Sequence, residues 1–328
     1  MIPDSHPAGG PDASVIIVTW NAKKYVEMCL RSLSHVDNVS FETIVVDNAS
    51  TDGTPELVER DFSQVRLIPS GGNLGFAKGN NIGIHASRGR YLCLVNSDVI
   101  VPPDCLKTLV RFMDANPAVG LAGPAMLGPH GSGVRRSCMR FPSLANALVR
   151  AFALDTVGPV KSLVKSQLMT DFHHDDIADV DILNGWFWIA RREAVDQVGL
   201  LDEQFFMYGE DVDWCRRFHQ GGWRVVFYPA ASAVHFGGAS SSVAPVRFYV
   251  EQERANIQYW KKHHGPVATA AYCAIVFLHN VVRLVAYAIV SLLVSNKRRI
   301  AVAKARCSWF LLGWMSGLRR RPLRNKEA

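Results

Sequence analysis

The hydrophobic pattern near the start of the chain alternates between two periods. Residues 14–20 (SVIIVTW) form a continuous apolar, β-branched run, the pattern of a strand buried on both faces. Residues 21–34 then carry Tyr25, Met28, Cys29 and Leu33 at helical spacing. A second buried strand is predicted over 43–47 (TIVVD), followed by a turn-rich stretch at 48–53. Thr54-Pro55 opens a helix, with Thr54 as the capping residue and the proline at the first helical position. A strand over 65–69, a helix over 77–87 and a strand over 91–96 (YLCLVN) complete a βαβ series, which implies a parallel sheet. Residues 128–180 show no clear period and read as a variable insertion or flexible loop. Order resumes at 180–191, then in a helix over 210–220, a strand over 223–228 and a helix over 246–263. Residues 267–294 are strongly apolar, interrupted by His279, Asn280 and Arg283. Asn280, Arg283, Tyr287 and Ser291 recur at helical spacing, so the polar groups share one narrow stripe.

Composition changes this picture in three ways. With 328 residues, 48% hydrophobic and 20% charged, the chain can bury a sizeable core, and disorder is expected only in residues 1–12 and the last few. The net charge of +7 is concentrated: residues 297–328 carry +9 and the rest −2. A basic tail beside an apolar segment points to an anionic membrane surface, and nucleic acid is not expected as a partner. The seven cysteines are scattered, odd in number and without a CxxC pair, so free buried thiols are expected, not disulfides or a zinc site. The first twelve residues contain no apolar run, so no signal peptide is expected.

Candidate chemistry lies at the ends of predicted strands, where open α/β sheets bind ligands. Asp47 ends one strand and suits hydrogen bonds from a nucleobase or ribose; Asp52 and Thr54 beside it fit turn formation equally well. Asn96-Ser97-Asp98 ends the next, and Asp98 is a hard oxygen donor suited to a divalent cation on a diphosphate. Glu210, Asp211 and Asp213 crowd a helix start in an aromatic setting, where neighbouring carboxylates raise one another's pKa toward that of a general base. His235, followed by Gly237 and Gly238, is a candidate metal or phosphate contact. No GxGxxG follows the first strand, which argues against a dinucleotide-dependent enzyme.

Six blocks in order resemble family 2 glycosyltransferases, in particular the bacterial rhamnosyltransferase-like branch: SVIIVTWN, IVVDNASTDGT, GGNLGFAKGNNIGI, YLCLVNSD, GLLDEQFFMYGEDVDWCRRFHQGGWRVVFYP and AVHFGG. The resemblance covers 13–265 and implies a GT-A-type α/β fold with a mainly parallel central sheet. It divides the chain into a nucleotide-binding half (13–127), the variable insertion (128–180) and an acceptor and catalytic half (181–265), before membrane-associated helices and a basic tail (266–328). By position, Asp47 would bind the nucleobase, with Asp52 supporting its loop. Thr19, Asn21, Asn48, Ser50, Asn73, Gly75, Lys78, Asn96 and Ser97 complete the implied donor site. Asp98 and His235 would hold Mg²⁺ or Mn²⁺, although the family's DxD-like motif is here Asn96-Ser97-Asp98. Asp211, paired with Glu210, would be the base of an inverting transfer. Trp186 and Trp188 would wall the acceptor site, with plain core packing as the alternative. The implied reaction moves a sugar, first of all rhamnose from dTDP-rhamnose, and the apolar segment 267–294 points to a lipid-linked saccharide as acceptor, in cell-envelope polysaccharide synthesis. UDP- and GDP-sugar donors are alternatives. A non-catalytic glycan-binding or membrane-scaffolding protein is the alternative of another class, opposed by the intact Asp98, Glu210 and Asp211.

A sugar nucleotide is cytosolic, so the catalytic part belongs at the cytoplasmic face of the inner membrane. One crossing by 267–294 would translocate the larger basic cluster, against the positive-inside tendency. An in-plane or re-entrant helix, or a tight hairpin, avoids this. Residues 307–318, with their aromatic and leucine side chains flanked by arginines, read as interfacial. A buried soluble helix pair is the alternative.

Overall fold

A computed structural model describes residues 10–129, 133–152, 167–169, 172–237 and 245–317. The N-terminal half alternates strand and helix as expected: β1 (Ala13–Thr19), α1 (Lys23–Leu33), β2 (Phe41–Asp47), α2 (Thr54–Asp61), β3 (Arg66–Pro69), α3 (Gly75–Ala86) and β4 (Tyr91–Val95). These strands are parallel in the order β3-β2-β1-β4. The chain continues through β5 (Val99–Ile100), α4 (Cys105–Ala115), β6 (Val119–Leu127), β7 (Val134–Arg135), β8 (Cys138–Met139) and α5 (Leu144–Ala151). Then come β9 (Ala178–Asp179), β10 (Ile182–Leu183), β11 (Phe187–Arg191), α6 (Arg192–Val198), α7 (Glu210–Gln220) and β12 (Arg224–His235). Three helices close the described chain: α8 (Pro245–His263), α9 (Pro266–Leu293) and α10 (Arg298–Met315).

Beyond β4 the sheet is mixed. Antiparallel β11 lies between β4 and β6, and β12 runs parallel to β6. The run 128–180, expected as an insertion or loop, contributes β7 and β9 to this sheet and β8 to a small ladder with β10. Its residues 130–132, 153–166 and 170–171 lie outside the described set. Side chains on β1 alternate between two apolar layers, Val15 and Ile17 in one and Ile16 in the other. Helix α3 lies unusually close to β1, because a β-carbon on Gly83 would stand 2.3 Å from Ile16 Cγ2. Thr54 is the first residue of α2 and not its cap; Asp52 takes that work, accepting from the Thr54 amide at 3.1 Å and from its hydroxyl at 2.5 Å. All seven cysteines are free, and six of them are buried.

The chain separates into two compact units, one built on the sheet and one holding α5 and α8 to α10. In the second unit α9 is a single unbroken helix of 28 residues, about 42 Å long at 1.5 Å per residue. It packs against α10, to which a short 3₁₀ turn (Ser295–Lys297) joins it, and against α8 and α5. Its polar stripe faces inward: Asn280 is fully buried and accepts a 2.9 Å hydrogen bond from the Tyr249 hydroxyl. Its outer surface is apolar, with Val267 and Leu292 each 82% exposed and Phe277, Leu278, Val282, Val285 and Ile289 also turned outward. Polar inside and apolar outside reverses the pattern of a water-soluble bundle and suits a lipid surround.

Candidate active site

The parallel half of the sheet brings three strand ends to one edge. At the end of β2, buried Asp47 accepts the Ser50 amide through Oδ2 at 2.9 Å, while its Oδ1 has no partner. The Thr19 hydroxyl at the end of β1 and Asn48 Oδ1 are likewise buried and unpartnered. Three unmet oxygens at one strand edge form a set of acceptors for the N–H and O–H groups of a ligand. The surrounding loop is tightly knit. Asn21 donates its amide to Ser50 Oγ at 2.9 Å and accepts the Thr51 amide at 2.7 Å. Asp52 also accepts the Lys23 amide at 2.9 Å. Burial works against the Asp52 charge, yet the bonds from Thr54 and Lys23 hold its carboxyl below the usual range.

Gly75 has a structural part here. Its φ of +84° is in the left-handed region, its carbonyl accepts Asn48 Nδ2 at 3.0 Å, and a β-carbon would lie 2.2 Å from the Phe206 carbonyl oxygen. It therefore ties the Asp47 loop to the segment leading toward α7. Asn73 supports this turn by accepting the Gly75 amide at 3.2 Å. Lys78 is 48% exposed on α3 and pairs with Glu203 at 3.7 Å.

A second cluster forms around Asp98. Strand β12 continues through a register shift between Tyr228 and Ser232 and ends at His235, so His235 belongs to the strand and does not follow it. Antiparallel pairing of β12 with β5 sets His235 opposite Val99, which brings Asp98 Oδ1 to 3.1 Å from His235 Nε2. Asp98 Oδ2 accepts the Gly237 amide at 3.0 Å, and Asn96 Nδ2 lies 3.5 Å from His235 Nε2. Gly238 is outside the described residues. Beneath this pair the buried Cys29 thiol is pushed up to about 12, first by desolvation and then by the Asp98 charge. Ser97, partly buried, sits between Asn96 and Asp98 in the turn joining β4 to β5.

The loop 184–186 joins this cluster to the acids of α7. The Trp186 carbonyl accepts the Asn96 amide at 2.9 Å, and its ring stacks on His235 with centroids 5.5 Å apart. On the other side, a β-carbon on Gly185 would lie 3.6 Å from Asp211 Cβ. Asp98, His235 and Asp211 thus surround one short loop. Glu210 beside them is buried with Oε2 unpartnered, and its carboxyl is pushed well above the carboxylate range by desolvation, then by the charges of Asp211 and Asp213. Asp213 serves the fold. Fully buried, it holds Arg217 at 2.9 Å, whose guanidinium also donates to the carbonyls of Val198, Gly199 and Leu200.

Two expectations are corrected. Trp188 has no exposed surface; it packs between Phe76 and Trp214, and its indole N–H donates to the Leu183 carbonyl at 3.2 Å. Trp186 is 3% exposed, and its ring is engaged by His235. Neither offers a face to a sugar; Trp188 is core, and Trp186 backs the His235 ring. One residue was missed. Arg135 on β7 carries an exposed guanidinium whose Nη1 stands 3.9 Å from the β-carbon position of Gly237, beside His235. Among the described residues it makes no ion pair, and it brings a positive charge to that edge.

A divalent cation fits this edge to a limited extent. No group of three His, Cys, Asp or Glu side chains suited to a metal occurs among the described residues. Asp98 and His235 nevertheless converge, and one or two protein ligands suffice where phosphates and water complete the shell.

The model of the family described as glycosyl transferase family 2 matches residues 14–198. The chain is 29% identical over 267 residues to the N-acetylglucosaminyl-diphospho-decaprenol L-rhamnosyltransferase of Mycobacterium tuberculosis, covering 76% of this chain and 84% of the relative. It is 26% identical over 233 residues to rhamnosyltransferase WbbL of Escherichia coli, covering 68% and 82%. The fold is similar to that of a mannosyltransferase from Pyrobaculum calidifontis solved with GDP-mannose and Mn²⁺, at a TM-score of 0.53 and 18% identity, covering 95% of this chain and 86% of that one. The architecture is that of a GT-A-like α/β fold.

Proposed function

The chain belongs to glycosyl transferase family 2, and from that premise we propose that it transfers a sugar, rhamnose from dTDP-rhamnose, with inversion onto a lipid-linked saccharide of the cell envelope. The observation that carries this reading is the convergence at one sheet edge of unmet acceptors (Thr19, Asp47, Asn48), the Asp98–His235 pair and Asp211. The rhamnosyl choice draws support from the names of the two relatives.

Asp47, Thr19 and Asn48 orient the nucleoside by accepting its N–H and O–H groups, and the Asn21–Ser50–Asp52 loop holds them in place. Asp98 and His235 are the residues that would hold Mg²⁺ or Mn²⁺. A bound divalent ion supplies Lewis-acid compensation of the charge on the diphosphate. Arg135 adds a positive charge at the same edge. Asp211 removes the proton from the acceptor hydroxyl, whose oxygen attacks the anomeric carbon as the bond to the diphosphate breaks. Glu210 stands beside it, and burial together with the charges of Asp211 and Asp213 raises its carboxyl pKa and favours its protonated form.

The second unit sits at the cytoplasmic face of the inner membrane, with α9 and α10 entering as a hairpin that returns the C-terminus to the same side. The apolar outer face of α9 and its packing against α10 support this. A reporter fused after Ala328 should read as cytoplasmic, and a periplasmic reading would overturn the hairpin. The functional test is turnover by the purified full-length protein with dTDP-rhamnose, UDP-sugars and GDP-sugars, each with metal and a polyprenyl-diphosphate saccharide. Transfer from dTDP-rhamnose is expected. Transfer from another donor alone would change the sugar assignment, and no transfer from any would favour a non-catalytic glycan-binding role.

A further inference from the structure

Two cations meet where α9 packs on α10: Arg283, half-buried on the polar stripe of α9, and Lys304, exposed on α10. Arg283 of α9 donates to the Tyr249 hydroxyl at 3.2 Å and rests between two rings, its guanidinium carbon 4.8 Å from the Tyr249 centroid and 5.6 Å from that of Tyr287. From α10, Lys304 donates to the Tyr287 hydroxyl at 3.2 Å and stands 5.1 Å from the centre of the same ring. Neither cation forms an ion pair among the described residues. Glu253 of α8 accepts from Tyr272 at 3.5 Å and from Asn256 at 3.4 Å. Arg283 Nε is buried without a partner, and Ser308 on α10 is fully buried with its hydroxyl unpartnered.

Once lipid covers this surface, the aromatic rings offset part of the cost of holding such charges away from water, but a cation–π contact contributes only about 0.5–2 kcal/mol. Burying a charge without a counter-charge costs more than that. The surface around the cluster is apolar: Val282, Val285 and Ile289 of α9 and Ile300 and Val302 of α10 are exposed. Such a surface excludes water-soluble anions once it is covered by lipid, and leaves the phosphate of a lipid headgroup as the anion able to arrive there.

We infer that Arg283 and Lys304, held by the rings of Tyr249 and Tyr287, form a binding site for the phosphate group of a membrane lipid. Arginine suits a phosphate because its planar fork gives paired hydrogen bonds, and lysine adds a point charge. The inference rests on the membrane reading above but not on the donor assignment. Two sources share this chemistry: a bulk anionic phospholipid and the phosphate of a polyprenyl carrier.

The test uses the full-length protein in phosphatidylcholine nanodiscs, titrated separately with a polyprenyl phosphate, with phosphatidylglycerol and with the uncharged polyprenol. Saturable binding of a phosphate-bearing lipid, and none of polyprenol, is expected. Arg283→Gln and Lys304→Gln should each weaken it about tenfold, the usual cost of removing one charge-assisted hydrogen bond. Arg283→Lys, which keeps the charge and spares the fold, should retain part of the affinity. Preference for the polyprenyl phosphate would assign the site to the carrier, and equal binding of phosphatidylglycerol would assign it to the bilayer. Equal affinity for polyprenol and its phosphate, or unchanged affinity in both glutamine variants, would overturn the proposal. Donor binding by the same nanodiscs reports on the catalytic assignment separately, so either can fail without the other.

Discussion

Strand β4 begins and ends in opposite chemical settings. At its start, Arg90 is held by both Asp12 and Asp114, the Tyr91 hydroxyl donates to Asp114 at 2.7 Å, and Arg191 reaches the carbonyls of Met113, Asn116 and Val119. Arg90 and Tyr91 have their pKa values raised, the latter to about 12 by burial and then by its bond to Asp114. None of these side chains leaves a buried atom unpartnered. At the other end of the parallel strands Thr19, Asp47 and Asn48 each do, as does Glu210 at the start of α7. Both ends hold buried polar groups on the same scaffold. The paired end is complete within the protein, whereas the opposite end leaves acceptors open, and under the proposed function the first are polar groups that build the fold and the second are groups that meet the ligand.

The largest effect should come from the acids of α7. Asp211→Asn is expected to slow transfer by about 10²–10⁴-fold, the usual cost of removing a positioned base. Donor affinity should stay close to wild type. Asp213→Asn, two residues away, should act on the fold: breaking a buried ion pair costs about 3–5 kcal/mol, so its melting temperature should drop sharply. If Asp213→Asn melts like wild type, or Asp211→Asn keeps its activity, the two acids have been assigned the wrong way round.

Next in size is the metal. Chelation should abolish most activity, Mg²⁺ or Mn²⁺ should restore it, and Asp98→Ala should not respond. Full activity in chelator would leave Arg135 as the main counter-charge. Arg135→Gln is expected to raise the donor KM about tenfold, as removal of a charge-assisted hydrogen bond to the diphosphate would, with a smaller change in kcat. An unchanged KM would return Arg135 to the solvated surface.

The smallest change is expected from Glu210→Gln. Burial and its acidic neighbours favour the protonated form of Glu210, which the amide mimics, so activity should be nearly kept. Its folded pKa lies above the ordinary 4.5, so the folded state binds the extra proton. Stability should therefore fall as pH rises above about 4.5, and Glu210→Gln should remove that slope. A steeper loss of stability with pH in the variant would show that Glu210 is ionised.

Much of this contrast could be read from the sequence, and the failures have physical causes. The strand-end positions of Asp47 and Asp98 were legible because each lies at or just beyond the end of an apolar run, TIVVD and YLCLV, and a parallel strand exposes its carboxyl end to ligands. The pairing of Asp98 with His235 was not, because it depends on a two-residue strand, β5, and on a register shift that carries β12 past Pro229. Arg135 escaped notice for a similar reason: β7 is two residues long and lies in a stretch without period. The Asn184–Trp188 aromatics misled because composition does not tell an exposed indole from a core one; only the strand register turns Trp188 into the interior. In the C-terminal unit the polar stripe was legible from spacing alone, since one continuous helix preserves its period.

Donor dissociation constants, paired with melting temperatures, for Asp47→Ala and Asp114→Ala test the central claim most directly, because Asp47 ends β2 whereas Asp114, on α4, pairs with Arg90 and Tyr91 at the start of β4. The account predicts that Asp47→Ala weakens sugar-nucleotide binding about tenfold or more while melting near wild type. Asp114→Ala should lower the melting temperature and bind donor normally. Wild-type donor affinity in Asp47→Ala, or a drop in affinity in a well-folded Asp114→Ala, would contradict it.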